Sequence, residues 1–221
     1  MCASLATVTA IETQKRHPDR VNIDLDGAYA FSLTGILAAE LRVGLSLEPE
    51  RIAALQSKDA DESAYQQALR LLSHRERSEA EIRAHLHKRK MPEDVVERTL
   101  TRLRDHRHAD DEQFARAWVE NRNAFRPRGR RALAWELRQK GIPTDVAEAS
   151  LSGLDESALA HQAGLKKARQ LVPADWQVFR PKMSAYLARR GFPSSIIAPI
   201  VSALWTETRG GQPSLNEEDI P

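Results

Sequence analysis

A short pattern occurs three times in the chain, as Leu86 with Met91 and Pro92, Leu137 with Ile142 and Pro143, and Leu187 with Phe192 and Pro193. The offsets are 51 and 50 residues, and they hold in flanking apolar columns. These are Ile82, Leu133 and Met183 upstream, then Val95, Val146 and Ile196, Val96, Ala147 and Ile197, Leu100, Leu151 and Val201, and Leu103, Leu154 and Leu204 downstream. An apolar register kept at a fixed period of this size marks a tandem array of like supersecondary units. A chain of 221 residues has room for only a few of them, each with a small core of its own.

Within one period the residue types predict helices and their ends. Ser78-Glu79-Ala80-Glu81 fits a capping box, so a helix begins there, turns Ile82 and Leu86 inward, and ends before Met91-Pro92, because proline disfavours helix in the residue ahead of it. Pro92 then opens another helix at N1, with Val95, Val96, Leu100 and Leu103 on its buried stripe. The second period repeats this with Leu133, Leu137 and Pro143. Gly141 and Gly191 suit the left-handed position that closes a helix, whereas Lys90 occupies that place in the first period. Ala64 to Ser73 and Phe114 to Ala124 supply a further helix per unit, the second starting at Asp110-x-x-Gln113. The third unit aligns poorly over Leu159 to Leu171, where Gly164 and the Pro173-Ala174 loop intervene, and it reads as a looser end module.

The N-terminal segment has a different period. Val21, Ile23 and Leu25 alternate with polar residues up to Asp26-Gly27, and Tyr29, Phe31 and Leu33 follow, which signals a β-hairpin. A two-residue turn would place Ile23 opposite Ala30, so a three-residue loop Leu25-Asp26-Gly27 pairing Ile23 with Tyr29 and Val21 with Phe31 is the expected geometry. Leu5 to Gln14 offers a third strand. Thr34 to Leu41 and Pro49 to Leu55 read as short helices, and Asp59-Ala60-Asp61-Glu62-Ser63 as the link to the array. The expected fold is therefore mainly α: three tandem three-helix repeats in an elongated curved array, preceded by a small β-hairpin and helix module. The expected boundaries are 1–58 for that module, 60–108, 109–156 and 157–209 for the repeats, and 210–221 for a disordered acidic tail.

Several function classes find no support. No apolar run approaches the roughly 18 residues that cross a bilayer, and Met1-Cys2-Ala3-Ser4-Leu5 lacks a basic region followed by a long apolar one, so a cytoplasmic location without membrane contact is expected. Cys2 is the single cysteine, which excludes an internal disulfide and a cysteine zinc cluster. His85 with His87, and His106 with His108, stand at i, i+2, which point to different helix faces, so no metal is expected. Asp110 and Asp111 suit a helix N-terminus better than a nuclease metal site. With no Gly-rich phosphate loop and no Ser/His/Asp spacing, neither a cofactor nor an enzymatic activity is expected.

The charge is uneven. Residues 64–140 hold 19 Lys and Arg against 12 Asp and Glu, although the whole chain is only +2. Arg75 and Arg77 precede the second helix of the first unit, Arg126, Arg128, Arg130 and Arg131 stand at the same place in the second, and Arg180 and Lys182 lie nearby in the third. Stacked units would line these loops along one edge. A second series, Lys88, Arg89 and Lys90, then Arg138 and Lys140, then Arg189 and Arg190, closes each second helix, where cations also complement the macrodipole. With Arg83, these form a candidate basic face for phosphates or acidic side chains. Trp135 lies off the apolar stripe, where the other units have Ala84 and Ala185. It reads as packing between repeats, with stacking on a base or partner as the alternative. Trp118 and Trp205 read as core.

Three segments carry a resemblance: Leu-Leu-Ser-His-Arg-Glu-Arg-Ser-Glu-Ala-Glu-Ile at 71–82, Ala-Asp-Asp-Glu-Gln-Phe-Ala at 109–115 and Glu-Leu-Arg-Gln-Lys-Gly-Ile at 136–142. Together with the threefold module they resemble the RecX family of bacterial recombination regulators over about residues 60–207, and the strand-rich start looks like an extension of its longer members. The resemblance implies a non-enzymatic modulator of RecA that binds the RecA–DNA filament and limits its growth, ATP hydrolysis, strand exchange and cleavage of the SOS repressor; a monomer is expected. A stand-alone DNA-binding protein acting through phosphate contacts is the competing reading, and a nuclease built on Asp110 and Asp111 a third.

Overall fold

The computed structural model describes residues 5–171 and 174–209. The acidic tail expected at 210–221, the start at Met1–Ser4 and Pro173 lie outside the described residues. The chain divides into two compact units, Met1–Ala109 and Asp110–Pro221.

The first unit opens with strands β1 (Ala6–Thr13), β2 (Arg20–Leu25) and β3 (Ala28–Thr34), a single helical turn α1 (Gly35–Ala38) and a short β4 (Ser46–Leu47). They form an antiparallel sheet in the order β3-β2-β1-β4. The hairpin between β2 and β3 corrects the expected three-residue loop. Asp26 and Gly27 both have positive φ, +50° and +84°, and Leu25 pairs directly with Ala28, so the turn has two residues. A bulge then shifts the register between Ile23 and Asp24, so that Ile23 meets Phe31 and Val21 meets Leu33. One extra residue on β3 restores the alternation that a two-residue turn would otherwise break.

A 24-residue helix α2 (Pro49–Leu72) follows, with proline at its first turn. It merges into one helix the short helix expected at Pro49–Leu55, the link expected at Asp59–Ser63 and the helix expected from Ala64. Leu55 enters the core of the sheet module beside Val8, Ile23 and Leu33, while Ala64, Tyr65 and Ala68 enter the next core with Ile82, Leu86, Val96 and Leu100. The acids between them remain helical because distant arginines neutralise them. Arg20 binds Asp59 at 2.8 Å, and Arg98 and Arg102 of the next helix pair reach Asp61 at 2.8 Å and Glu62 at 2.7 Å. Burial works against the charged form of Glu62, yet hydrogen bonds from Gln66 and Arg102, with the charge of Arg102, hold its carboxyl below the ordinary value. Helices α3 (Glu79–Lys88) and α4 (Glu93–Asp105) complete this three-helix group.

The second unit holds the other two groups: α5 (Asp111–Phe125), α6 (Arg130–Gln139) and α7 (Thr144–Leu151), then α8 (Glu156–Gln170), α9 (Trp176–Arg189) and α10 (Ser194–Arg209). The last group is not loose. Phe179, Met183, Leu187 and Leu204 are fully buried, and the Trp205 ring stands edge-on to Trp176 and Phe179 with centroids 5.2 and 5.1 Å away. Gly164 is a close-packing position, since a Cβ there would collide with Leu204, so the poor alignment of this helix reflects a tighter crossing.

The threefold pattern is a helix stop. In each group the amide of the residue before proline donates to the leucine carbonyl five residues back: Met91 to Leu86 at 3.2 Å, Ile142 to Leu137 at 3.0 Å and Phe192 to Leu187 at 3.3 Å. A second bond runs from Lys90 to His87, Gly141 to Arg138 and Gly191 to Ala188. This pair of bonds, with an apolar contact across it, satisfies the last carbonyls of the helix. Lys90 adopts the same left-handed conformation as the glycines, with φ of +60° against +76° and +86°. Pro92 and Pro143 stand one residue before the expected N1, as caps. Among the described residues no helix is long and apolar enough to cross a membrane.

Candidate partner-binding surface

The two basic loops ahead of second helices are built differently. In the first unit Ser78 caps α3, accepting from the Glu81 amide at 3.2 Å, and Arg75 grips the Glu81 carboxylate with both terminal nitrogens at 3.0 Å. Arg77 is half-buried and its Nε has no hydrogen-bond partner among the described residues. Arg83 reaches Glu93 at 2.7 Å and also pairs with Glu97, tying α3 to α4. Arg75 and Arg83 therefore serve the fold.

In the second unit the loop closes on Glu136, a buried carboxylate that the sequence reading passed over. It accepts from the Trp118 Nε1 at 2.8 Å and the Arg122 Nε at 2.7 Å, and Arg128 lies 2.8 Å away. The Arg122 guanidinium also stacks on the Trp118 ring at 4.6 Å. A buried carboxylate is tolerated only when it is paired in this way, and glutamate in an Arg/Trp-rich helix at an inward position was the available signal. Arg128 thus holds the loop in place. Arg126, Arg130 and Arg131 are exposed and have no ion-pair partner among the described residues.

Helix α6 begins with two arginines and no acid in its first turn, which opposes the dipole. Its cap, Gly129, supplies no side chain, and Glu156 from the start of α8 accepts from the Arg130 amide instead at 2.8 Å. Gly129 also donates to the Arg190 carbonyl at 2.9 Å, and the Arg190 guanidinium donates to the Pro127 carbonyl at 3.1 Å while covering the Tyr186 ring. The loop of the second group and the helix end of the third are thereby brought together, placing Arg189 and Arg190 beside the arginine loop. Arg180 and Lys182, expected with the loop ahead of the second helix, are instead exposed positions within α9, which starts four residues earlier than the repeat offset predicts.

The helix-end series is more exposed. Lys88, Arg89 and Lys90 have no ion-pair partner among the described residues, and the same holds for Arg138 and Arg189. Lys140 lies 5.1 Å from the Trp118 ring. Burial lowers the affinity of His85 for protons, and Arg89, Arg77 and Lys88 lower it further, which marks a locally positive field.

Trp135 departs from the packing expectation: it is 56% exposed. Trp118 and Trp205 do pack. Asp110 caps α5 by accepting from the Gln113 amide at 2.9 Å, with Asp111 in the first turn. His87 pairs with Glu93 at 3.0 Å, and His106 and His108 flank the Tyr65 ring. Among the described residues no three His, Cys, Asp or Glu side chains gather as a metal-holding group.

Comparison with known proteins accounts for the whole architecture. Residues 6–48 match the family model for the regulatory protein RecX N-terminal domain, and 64–103, 110–151 and 155–201 match those for the first, second and third RecX three-helix domains. A "Regulatory protein RecX" of Bacillus velezensis is 33% identical over 86% of this chain and 74% of its own length, and one of Geobacillus kaustophilus 32% identical over 92% and 79%. A crystal structure of a regulatory protein RecX superposes with a TM-score of 0.70 at 31% identity, covering 89% of this chain and 98% of that one. The RecX of Lactobacillus salivarius shares the fold, with a TM-score of 0.61 at 24% identity over 66% of this chain and 97% of that one. With its strand module and all three helical domains matched in order, the chain belongs to the RecX family of regulatory proteins.

Proposed function

We propose that this protein is a non-enzymatic regulator of the RecA recombinase, acting as a monomer in the cytoplasm. It binds the RecA–DNA filament through a basic face and limits filament extension, ATP hydrolysis, strand exchange and co-protease activity. The observation that carries this reading is the division among the arginines. Arg75, Arg83 and Arg128 are held by Glu81, Glu93 with Glu97, and Glu136. Arg126, Arg130, Arg131, Arg138 and Arg189 stand exposed with no ion-pair partner among the described residues. Unneutralised guanidinium groups clustered around one loop and the adjoining helix end are the groups available to phosphates and carboxylates.

RecA's DNA-dependent ATPase, measured with equimolar protein, tests it. ATP hydrolysis falls and filaments shorten in electron micrographs. An unchanged rate together with unchanged filament length refutes the proposal. Inhibition that disappears when extra free DNA is supplied, with no binding to RecA itself, points instead to a protein that acts only by covering DNA.

A further inference from the structure

The three repeats supply an internal comparison for helix α6. Leu133, Glu136 and Leu137 face its core. On the opposite side Arg131, Trp135 and Arg138 follow at i, i+4 and i+7, one stripe of a helix. The same columns hold Ala80, Ala84 and His87 in the first group and Pro181, Ala185 and Ala188 in the third. The shared scaffold thus asks for nothing large at the column of Trp135, where both other groups have alanine. Only the second group puts an indole on this face, 56% exposed, and one turn to either side stands a guanidinium with no ion-pair partner among the described residues. At 1.5 Å per residue the two arginines lie about 10 Å apart along the axis, and the face carries no acid.

From this arrangement we infer that the outer face of α6 binds single-stranded nucleic acid, an unpaired base stacking on Trp135 while Arg131 and Arg138 contact the phosphates on its two sides. The inference rests on the basic face proposed above and assigns part of it to the strand rather than to protein. An exposed indole offers a π-face that any base can occupy, and flanking arginines supply the backbone charge that such sites combine with stacking. Arg131 stands at the start of α6 against the helix dipole, a placement that a bound phosphate would relieve.

Fluorescence anisotropy of a labelled dT20 oligonucleotide at low salt tests this on the full chain, with an abasic strand of equal length as control. Trp135→Ala weakens dT20 binding by about tenfold, Trp135→Phe retains most of it, and neither changes binding of the abasic strand. Replacing Arg131 and Arg138 with Gln lowers the slope of log affinity against log salt by about 1.4. Because Trp135 is exposed, circular dichroism of the variants stays that of the wild type. Equal affinity of wild type and Trp135→Ala for dT20, or no dT20 binding at all, overturns the inference. If Trp135→Ala then still loses RecA inhibition, Trp135 touches protein, and the regulatory reading stands without the stacking site.

Discussion

His85 reports on the charge around it. Its proton affinity is lowered first by burial and then by Arg89, Arg77 and Lys88, so its midpoint lies below the ordinary 6.5. Because the folded state binds that proton less readily than the unfolded one, His85 favours folding above about pH 6.5 and this contribution is lost as pH falls towards the folded midpoint. A polyanion bound to the same cations removes part of their repulsion and raises the midpoint. NMR titration of His85 with and without a single-stranded oligonucleotide shows an upward shift on binding. An unmoved midpoint would mean that Arg77, Lys88 and Arg89 are not at the contact. At this scale the sequence is least informative, since nothing local separates Arg128, held by Glu136, from Arg130, whose guanidinium has no carboxylate partner among the described residues.

Among the elements, helix ends were the most legible. The Leu–Pro spacing encodes a turn whose two hydrogen bonds recur in all three groups, because capping chemistry is local. The course of α2 was not legible. A run of acids reads as a link or a helix start until Arg20, Arg98 and Arg102, far away in the chain, are placed against it. The bulge in the hairpin escaped for a related reason: period two predicts which residues alternate but not where an extra one is absorbed. The join between α6 and α9 depends on backbone contact. A Cβ on Gly129 would collide with the carbonyl of Gly191, and one on Gly191 with Ala132. Gly129→Ala is therefore expected to cost about 2 kcal/mol through overpacking. Urea unfolding followed by circular dichroism reads this as a lower midpoint, and an unaltered midpoint would show that the arginine loop is not held by this approach.

At the scale of the whole molecule, the repeats reuse one scaffold while their surfaces diverge. Buried leucines at 86, 137 and 187 keep the groups alike, and all three are fully excluded from solvent. Function, on this account, lies in what the scaffold leaves unpaired: the exposed arginines of the second group and their neighbours. That claim separates two sets of four substitutions with the same change in charge. The first set replaces Arg126, Arg130, Arg131 and Arg138 with Gln. The second replaces Arg51, Arg70, Arg104 and Arg116, all exposed, which stand 3.4 to 3.6 Å from Glu40, Asp19, the half-buried Glu79 and Glu112 in long surface pairs that contribute little to stability. The decisive measurement is the protein concentration that halves RecA's DNA-dependent ATPase. The first set should raise it by at least about tenfold, the loss of roughly 1.4 kcal/mol of binding, while the second leaves it near the wild-type value. Equal effects of the two sets would contradict the account.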